Sequence, residues 1–295
     1  MKIDKPSASP VSGSSAIPLV SSVAPLAAAT DAWIVDIWGV MHNGVTPFLD
    51  AARACATFRH IGGTVVLLSN APRPAASVAE QLDRIGVPKN AYDVILTSGD
   101  AARAMISALA GQTVYHLGPE RDRPLFAGSG VTCGALQDAE AIVCTGLFND
   151  DTETPDDYQT MLQSAHARAL PMICANPDLK VERGGKIIWC AGGVAALYET
   201  LGGQVSYAGK PYAPIYQMVF DELVRLRGVK VARERVLAIG DGVKTDIAGA
   251  GAAGVRSLFI ASGIHVEGQL DAQTLELLFA DAPARPVAAM SALAW

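Results

Sequence analysis

Four segments of the chain carry polar side chains where apolar runs end, and their types suit phosphoryl transfer. Asp36 follows Trp33-Ile34-Val35 and precedes Ile37-Trp38-Gly39-Val40; Ser69-Asn70 follows Val65-Val66-Leu67-Leu68. Lys210 sits in Tyr207-Ala208-Gly209-Lys210-Pro211, and Gly240-Asp241, with Thr245-Asp246 close behind, follows Val236-Leu237-Ala238-Ile239. A carboxylate such as Asp36 can attack phosphorus and split one hard displacement into two easier ones. An anion beside a phosphate needs a counter-charge, and hard oxygen donors such as Asp36 and Asp241 suit Mg²⁺. Lys210 and Ser69 would hold the non-bridging oxygens.

Each segment alone has a plainer reading. Asp36 after a strand serves equally as a turn former or helix N-cap, and Ser69-Asn70 before Ala71-Pro72 reads as a turn. Lys210 alone reads as a solvated cation, and Asp246 as a capping residue. Their order gives them joint meaning, because three of the groups each close a separate apolar strand.

The elements that must position these groups alternate in type. Apolar runs at 33–35, 64–68, 94–96, 236–239 and 256–260 predict strands. Segments with helical spacing at 49–61, 75–85, 99–109 and 213–227 separate them, which predicts βαβ units on a parallel sheet. Pro47, Pro74 and Pro214 fall near three helix starts, where a missing N–H costs least. The middle reads as a second α/β unit, with strands at 114–117, 141–144, 172–174 and 186–189 and helices at 155–169 and 194–201. Core-like strands resume after it, so it reads as an insertion. The expected organisation is α/β: an N-terminal arm over 1–30, a Rossmann-like parallel-sheet core over 31–111 and 204–295, and an inserted unit over 112–203.

The bulk properties agree. Of 295 residues, 50% are hydrophobic and the net charge is −6, so the core is sizeable and non-specific nucleic-acid binding is disfavoured. The five cysteines are widely spaced without a C-x-x-C pair, which predicts reduced, buried thiols and a cytoplasmic setting. Neither a membrane span nor a signal peptide is expected: Lys2 and Lys5 precede a segment broken by serines and prolines. A loose arm with a short helix near residues 20–29 fits better. The last segment, 282–295, reads as a surface strand or tail.

The ordered motifs resemble those of the haloacid-dehalogenase-like (HAD) superfamily of hydrolases, in particular its class IIA cap group, over residues 32–263. Asp36 to Gly39 resembles the first motif, Ser69-Asn70 the second, Lys210-Pro211 the third and Gly240-Asp241 with Thr245-Asp246 the fourth. Ala175-Asn176-Pro177-Asp178 and Gly192-Gly193-Val194-Ala195 resemble the cap and its return to the core. The resemblance implies a Rossmann-like core under an inserted α/β cap domain. It implies a phosphatase with Asp36 as nucleophile, Lys210 pairing with Asp36 and phosphate, and Ser69 and Asn70 as substrate-binding residues. Mg²⁺ is implied as cofactor, held by Asp36, Asp241 and the Trp38 backbone carbonyl with Asp246 in support. The implied partner is a small phosphorylated metabolite, such as a sugar phosphate or nucleotide, with a homo-oligomer left open.

One position departs from the pattern. The family's phosphatases normally carry a second aspartate two residues after the nucleophile, which protonates the leaving group. Here that residue is Trp38. Losing general acid catalysis costs about 10²–10⁴ in rate. Three accounts are open: His42 stands in, the leaving group needs little help, or the chain is a slow phosphatase or a catalytically silent phosphometabolite-binding protein. Asn176 and Asp178 are expected either near the cap–core junction or merely in a turn.

Three signals carry less weight. Gly249 to Gly254 matches G-x-G-x-x-G but does not join a strand to a helix start, so close helix packing is expected. Asp150-Asp151, with nearby Glu153, Asp156 and Asp157, lacks EF-hand spacing and reads as a solvated loop and capped helix start. His265 near Ser262 lacks a nucleophile-elbow sequence.

Overall fold

The computed structural model describes residues 16–183, 185–261 and 270–295. His265 and Ser262, and residues 1–15 of the expected arm, lie outside them. Strands β1 (Ala32–Asp36), β2 (Thr64–Ser69) and β3 (Val94–Thr97) come first. Next are β4 (Thr113–Leu117), β5 (Thr132–Cys133), β6 (Ala141–Cys144), β7 (Met172–Cys174), β8 (Lys180–Arg183), β9 (Lys186–Trp189) and β10 (Val205–Tyr207). The chain then forms β11 (Val236–Gly240), β12 (Arg256–Ile260) and β13 (Ala288–Met290).

Six strands make a parallel core sheet ordered β13-β12-β11-β1-β2-β3. All five residues of β1 and all six of β2 are buried, as expected where helices cover both faces. Alternation along β1 divides its side chains between two packed layers. Trp33 and Val35 join Phe58 of helix Leu49–His60 and Leu82 of helix Ala75–Ile85. Ala32 and Ile34 join Ala102 of helix Ser98–Ser107 and Val219 of helix Ala213–Arg227. Trp33 stacks on Phe58 with centroids 4.0 Å apart. The strand order reverses beside β1, whose neighbours are β2 and β11. In open α/β sheets that crevice, at the carboxyl ends of the strands, takes the ligand.

A second parallel sheet, β10-β7-β6-β4-β5, is inserted between β3 and β11. Its own core includes Leu162, Val194 and Tyr198. β10 pairs with β7, so the chain leaves this sheet after Tyr207 rather than at residue 203. The strand expected at 186–189 forms, but not in this sheet. As β9 it pairs antiparallel with β8 in a separate two-stranded ribbon.

Both chain ends need correction. The short helix of the arm forms at Ala24–Ala27, yet the described part of the arm is docked rather than loose. Val20 N donates to Ala289 O at 3.0 Å, Val23 N donates to Ala294 O at 2.9 Å, and Val23 is fully buried. The terminal segment likewise gives β13, a buried edge strand rather than a surface one. The glycine-rich stretch lies in and just after helix Ala248–Ala252, where a side chain at Gly249 would meet the Tyr216 hydroxyl at 2.4 Å. Close helix packing explains those glycines. All five cysteines are unbridged, and burial pushes the Cys55 and Cys144 thiols up to about 12. Among the described residues no helix is long and apolar enough to cross a membrane.

Candidate active site

Asp36 is the last residue of β1, Ser69 the last of β2, and Asp241 follows β11, so three adjacent strands deliver them to one edge. The turn after Asp36 passes through Gly39 at φ +82°, a conformation that glycine adopts without a steric penalty. A side chain there would also lie 2.2 Å from Asp241 Oδ2. Gly39 thus lets the turn close onto Asp241. After Asp241, Val243–Ile247 forms a single π-helical turn that swings Asp246 back toward the strand end; such turns recur at functional sites.

The carboxylates of Asp36, Asp241 and Asp246 converge, with donor oxygens within 4.8 Å of one another and exposures of 7%, 6% and 6%. Lys210, 3% exposed, projects into the same place. Its Nζ donates to Asp36 Oδ1 at 2.6 Å, Asp246 Oδ1 at 2.7 Å and Leu68 O at 3.1 Å, which engages all three ammonium hydrogens. Burial, followed by the charge of Asp246, holds the Asp36 carboxyl well above its ordinary range, against the pull of Lys210. Burial pulls the Lys210 ammonium down, but Asp246 and Asp36 outweigh it and carry the group well above its ordinary value.

The charges leave room for a cation. Three carboxyl groups face one ammonium, so a dication would balance the cluster in its ionised form, and the donors are hard oxygens of the kind Mg²⁺ takes. The residues present therefore fit a divalent cation. Asp246 uses Oδ1 on Lys210 and Oδ2 on the Gly242 N–H at 3.0 Å, which suits support more than direct ligation. Trp38 lines the same small cavity, about 60 Å³, and among the described residues its carbonyl accepts no hydrogen bond.

Ser69 and Asn70 reach the site in different ways. Ser69 lines the cavity, and its Oγ accepts from Ala71 N at 3.1 Å, leaving the hydroxyl hydrogen to donate. Asn70 spends its amide on structure. Its Oδ1 accepts from Lys210 N at 2.8 Å, while Nδ2 donates to Lys210 O at 3.2 Å and Asp178 Oδ1 at 2.9 Å. Both amide hydrogens are engaged, so Asn70 seats Lys210 rather than offering a donor to phosphate. Asp178 serves both expected roles. It takes Asn70 across the junction, and its own N–H donates to Asn176 Oδ1 at 3.0 Å in a tight turn.

His42 is turned to another task. The ring is 1% exposed, its Nδ1 accepts from Gly44 N at 2.8 Å, and its edge meets the Trp38 ring at 5.0 Å. Burial, with the Arg73 charge, lowers its pKa to about 4, so at neutral pH it is an uncharged acceptor and a poor proton source. The acidic loop is also more structured than expected. Asp150, with an 11% exposed side chain, pairs with Arg121 and Arg183, while Thr154 and Asp157 form the capping box at the next helix start.

Sequence reasoning missed the β8–β9 ribbon. Its Lys180 and Val181 line the 60 Å³ cavity, and its Glu182 carbonyl accepts from Trp38 Nε1. The position of the missing acid is therefore a tie between the core and this ribbon. A larger cavity of about 490 Å³ adjoins, sharing Trp38, Ser69, Asp178 and Val181 with the smaller one.

Two sequence profiles match the chain: a haloacid dehalogenase-like hydrolase profile over residues 33–132 and a HAD-hydrolase-like profile over 207–288. A haloacid dehalogenase-like family hydrolase from Brucella suis has a similar crystal structure. It is 42% identical with a TM-score of 0.84, over 92% of this chain and 98% of that one. The chain belongs to the haloacid dehalogenase-like hydrolase family. Within this family the D-glycerol 3-phosphate phosphatase of Mycobacterium tuberculosis is 30% identical over 239 residues. That match covers 80% of this chain and 64% of the relative, so the chain spans less than two thirds of the relative's length. The fold alone is shared with a sugar phosphatase-like protein from Cytophaga hutchinsonii, 19% identical with a TM-score of 0.77 over 92% and 97% of the two chains.

Proposed function

We propose that the chain is a Mg²⁺-dependent phosphoric monoester hydrolase that works through an aspartyl-phosphate on Asp36. The observation that carries this reading is the buried cluster of Asp36, Asp241 and Asp246 around one ammonium, at the strand ends where the sheet order reverses. The similarity to a D-glycerol 3-phosphate phosphatase supports it. A bound Mg²⁺, with Asp36, Asp241 and the Trp38 carbonyl as its protein ligands, would offset the negative charge that repels phosphate.

Lys210 holds Asp36 Oδ1, fixing the carboxylate and leaving Oδ2 as the attacking atom. A bond forms from Oδ2 to phosphorus as the ester P–O bond breaks and its electron pair leaves with the alcohol oxygen, which takes a proton from solvent. Water then attacks phosphorus and gives up a proton to solvent, the bond from Oδ2 to phosphorus breaks with its electron pair returning to the Asp36 carboxylate, and inorganic phosphate leaves. Ser69 Oγ donates to a phosphoryl oxygen. Asn70 keeps Lys210 in place through both of its backbone groups.

The indole of Trp38 cannot protonate the departing alcohol, and His42 is committed elsewhere. Turnover should therefore fall steeply as the leaving group becomes more basic. The test is phosphate release from a panel of esters graded in leaving-group basicity, with and without Mg²⁺. Release that requires Mg²⁺ and is abolished by Asp36→Asn supports the reading. Ester binding without release leaves a phosphometabolite-binding protein instead.

A further inference from the structure

The 490 Å³ cavity adjoining the phosphoryl site is where the alcohol portion of an ester would lie, and its charges are unevenly matched. Arg73, Arg84, Arg121 and Arg183 line it. Arg121 and Arg183 are paired with Asp150 and, for Arg183, Asp151. Arg84 is exposed to solvent. Arg73 differs from all three. It is half-buried, and among the described residues no carboxylate lies within 4.0 Å of it. Its hydrogen-bond partner is the neutral Gln81 Oε1, bound through Nη2.

A guanidinium stays charged under all ordinary conditions and presents five donors in a planar fork. Holding one partly out of water with a single neutral acceptor is unfavourable unless something else uses the charge. Asp122 acts on Arg73 only at longer range and does not serve as its partner. It is 2% exposed, and its carboxylate is hydrogen-bonded to Thr145. Burial lowers the Arg73 pKa; the Asp122 charge opposes that shift, and the Arg121 and Arg84 charges add to it.

The location is as informative as the charge. Arg73 lies on the loop that begins at Ser69, four residues further on, and the proposed phosphoryl donor Ser69 lines both cavities. Four residues span at most about 14 Å of chain, so one small molecule can reach both groups. Gly99 keeps the loop in place: a side chain there would meet the Arg73 backbone at 2.6 Å. The wall also includes the apolar Ile85, Leu147 and Ile188, which cannot engage a hydroxyl or amine.

We propose that the ester handled here carries a carboxylate on its alcohol portion and that Arg73 binds that carboxylate with its planar fork. Arg84 also has no ion pair among the described residues, but it is solvent-exposed, whereas Arg73 is half-buried and its planar fork matches a carboxylate. This inference rests on the phosphatase reading and narrows it. The D-glycerol 3-phosphate phosphatase it resembles is named for an ester whose alcohol portion is neutral, so the proposal separates the two specificities.

The test compares two esters that differ at one carbon, 3-phosphoglycerate and glycerol 3-phosphate, as kcat/KM with Mg²⁺ on the full chain. We expect at least tenfold preference for the carboxylate in the wild type. Arg73→Met should bring the ratio toward one, and Arg73→Lys should keep part of it. Equal rates, a preference for glycerol 3-phosphate, or a preference that survives Arg73→Met would overturn the proposal. Arg73→Gln serves if the methionine variant does not fold. If neither ester releases phosphate, nitrophenyl phosphate with Mg²⁺ decides the phosphatase reading separately, and binding decides the inference. Calorimetry would then compare 3-phosphonopropionate with 3-hydroxypropylphosphonate. Tighter binding of the carboxylate, lost in Arg73→Met, supports the proposal; equal affinity overturns it.

Discussion

Replacing Lys210 with methionine should be among the most damaging single changes available to this chain. The ammonium is 3% exposed and lies 2.6 Å from Asp36 and 2.7 Å from Asp246, which are 7% and 6% exposed. Methionine fills similar volume without charge, so packing changes little and the loss is electrostatic. Breaking a buried pair by removing one partner costs about 3–5 kcal/mol, because the other charge stays buried without compensation. Here two carboxylates lose their partner at once, with Asp241 in the same cluster. We therefore expect Lys210→Met to lower unfolding free energy by about 3–5 kcal/mol, read from urea denaturation in chelator-treated buffer. Millimolar Mg²⁺ should restore more stability to the variant than it adds to the wild type, because the dication replaces the missing charge. Lys210→Met with Asp246→Asn should be more stable than Lys210→Met alone, since the second change removes a stranded charge. A single variant within about 0.5 kcal/mol of the wild type, in the range of ordinary surface changes, would refute this reasoning.

Other expectations concern the turn after Asp36, the buried histidines and the lost acid. Gly39→Ala forces a Cβ to within 2.2 Å of Asp241 Oδ2 at φ +82°, whereas Gly62, at φ +96°, has open space around it. Both alanine variants should lose about 1–2 kcal/mol to backbone strain, but only Gly39→Ala should weaken Mg²⁺ binding measured by calorimetry. Burial lowers the pKa of His42 and of His116 from 6.5 to about 4. A depressed histidine contributes stability that is whole above pH 6.5 and is lost as pH falls toward about 4, worth roughly 3 kcal/mol each. Urea midpoints should drop across that window, and His116→Asn should flatten the drop; an unchanged slope would mean His116 is not held neutral. Trp38→Asp should raise turnover on esters with basic leaving groups relative to nitrophenyl phosphate. No gain, in a variant that folds and binds Mg²⁺, would mean that proton transfer is not limiting.

The core and the site were legible in the sequence to the extent that their signals were local. Asp36, Ser69 and Asp241 stand out because each interrupts or closes an apolar run, and buried parallel strands make such runs conspicuous. The strands that went unseen are short or polar. Lys180–Arg183 reads as an ordinary charged segment, and Val205–Tyr207 offers only three residues, all of them pairing across the sheet with Met172 to Cys174. Ala288–Met290 resembles a tail because alanine gives little hydrophobic contrast, yet pairing with β12 and docking of the arm bury it. Long-range ties were hidden for a different reason. Trp38 meets Glu182 across 144 positions and Asn70 meets Lys210 across 140, so no window of sequence holds both partners. Nor could the sequence show that Arg73 has no ion pair among the described residues, since that depends on where the acidic groups end up.

The proposal that Asp36 is the nucleophile is tested most directly by trapping its phosphorylated form. The full chain would be mixed with Mg²⁺ and nitrophenyl phosphate, quenched in acid, reduced with borohydride and mapped by peptide mass spectrometry. Reduction converts an aspartyl-phosphate to homoserine, and we expect homoserine at position 36 only when both Mg²⁺ and the ester are present. Phosphate release with unmodified aspartate at position 36, or with the label on another residue, would contradict the assignment.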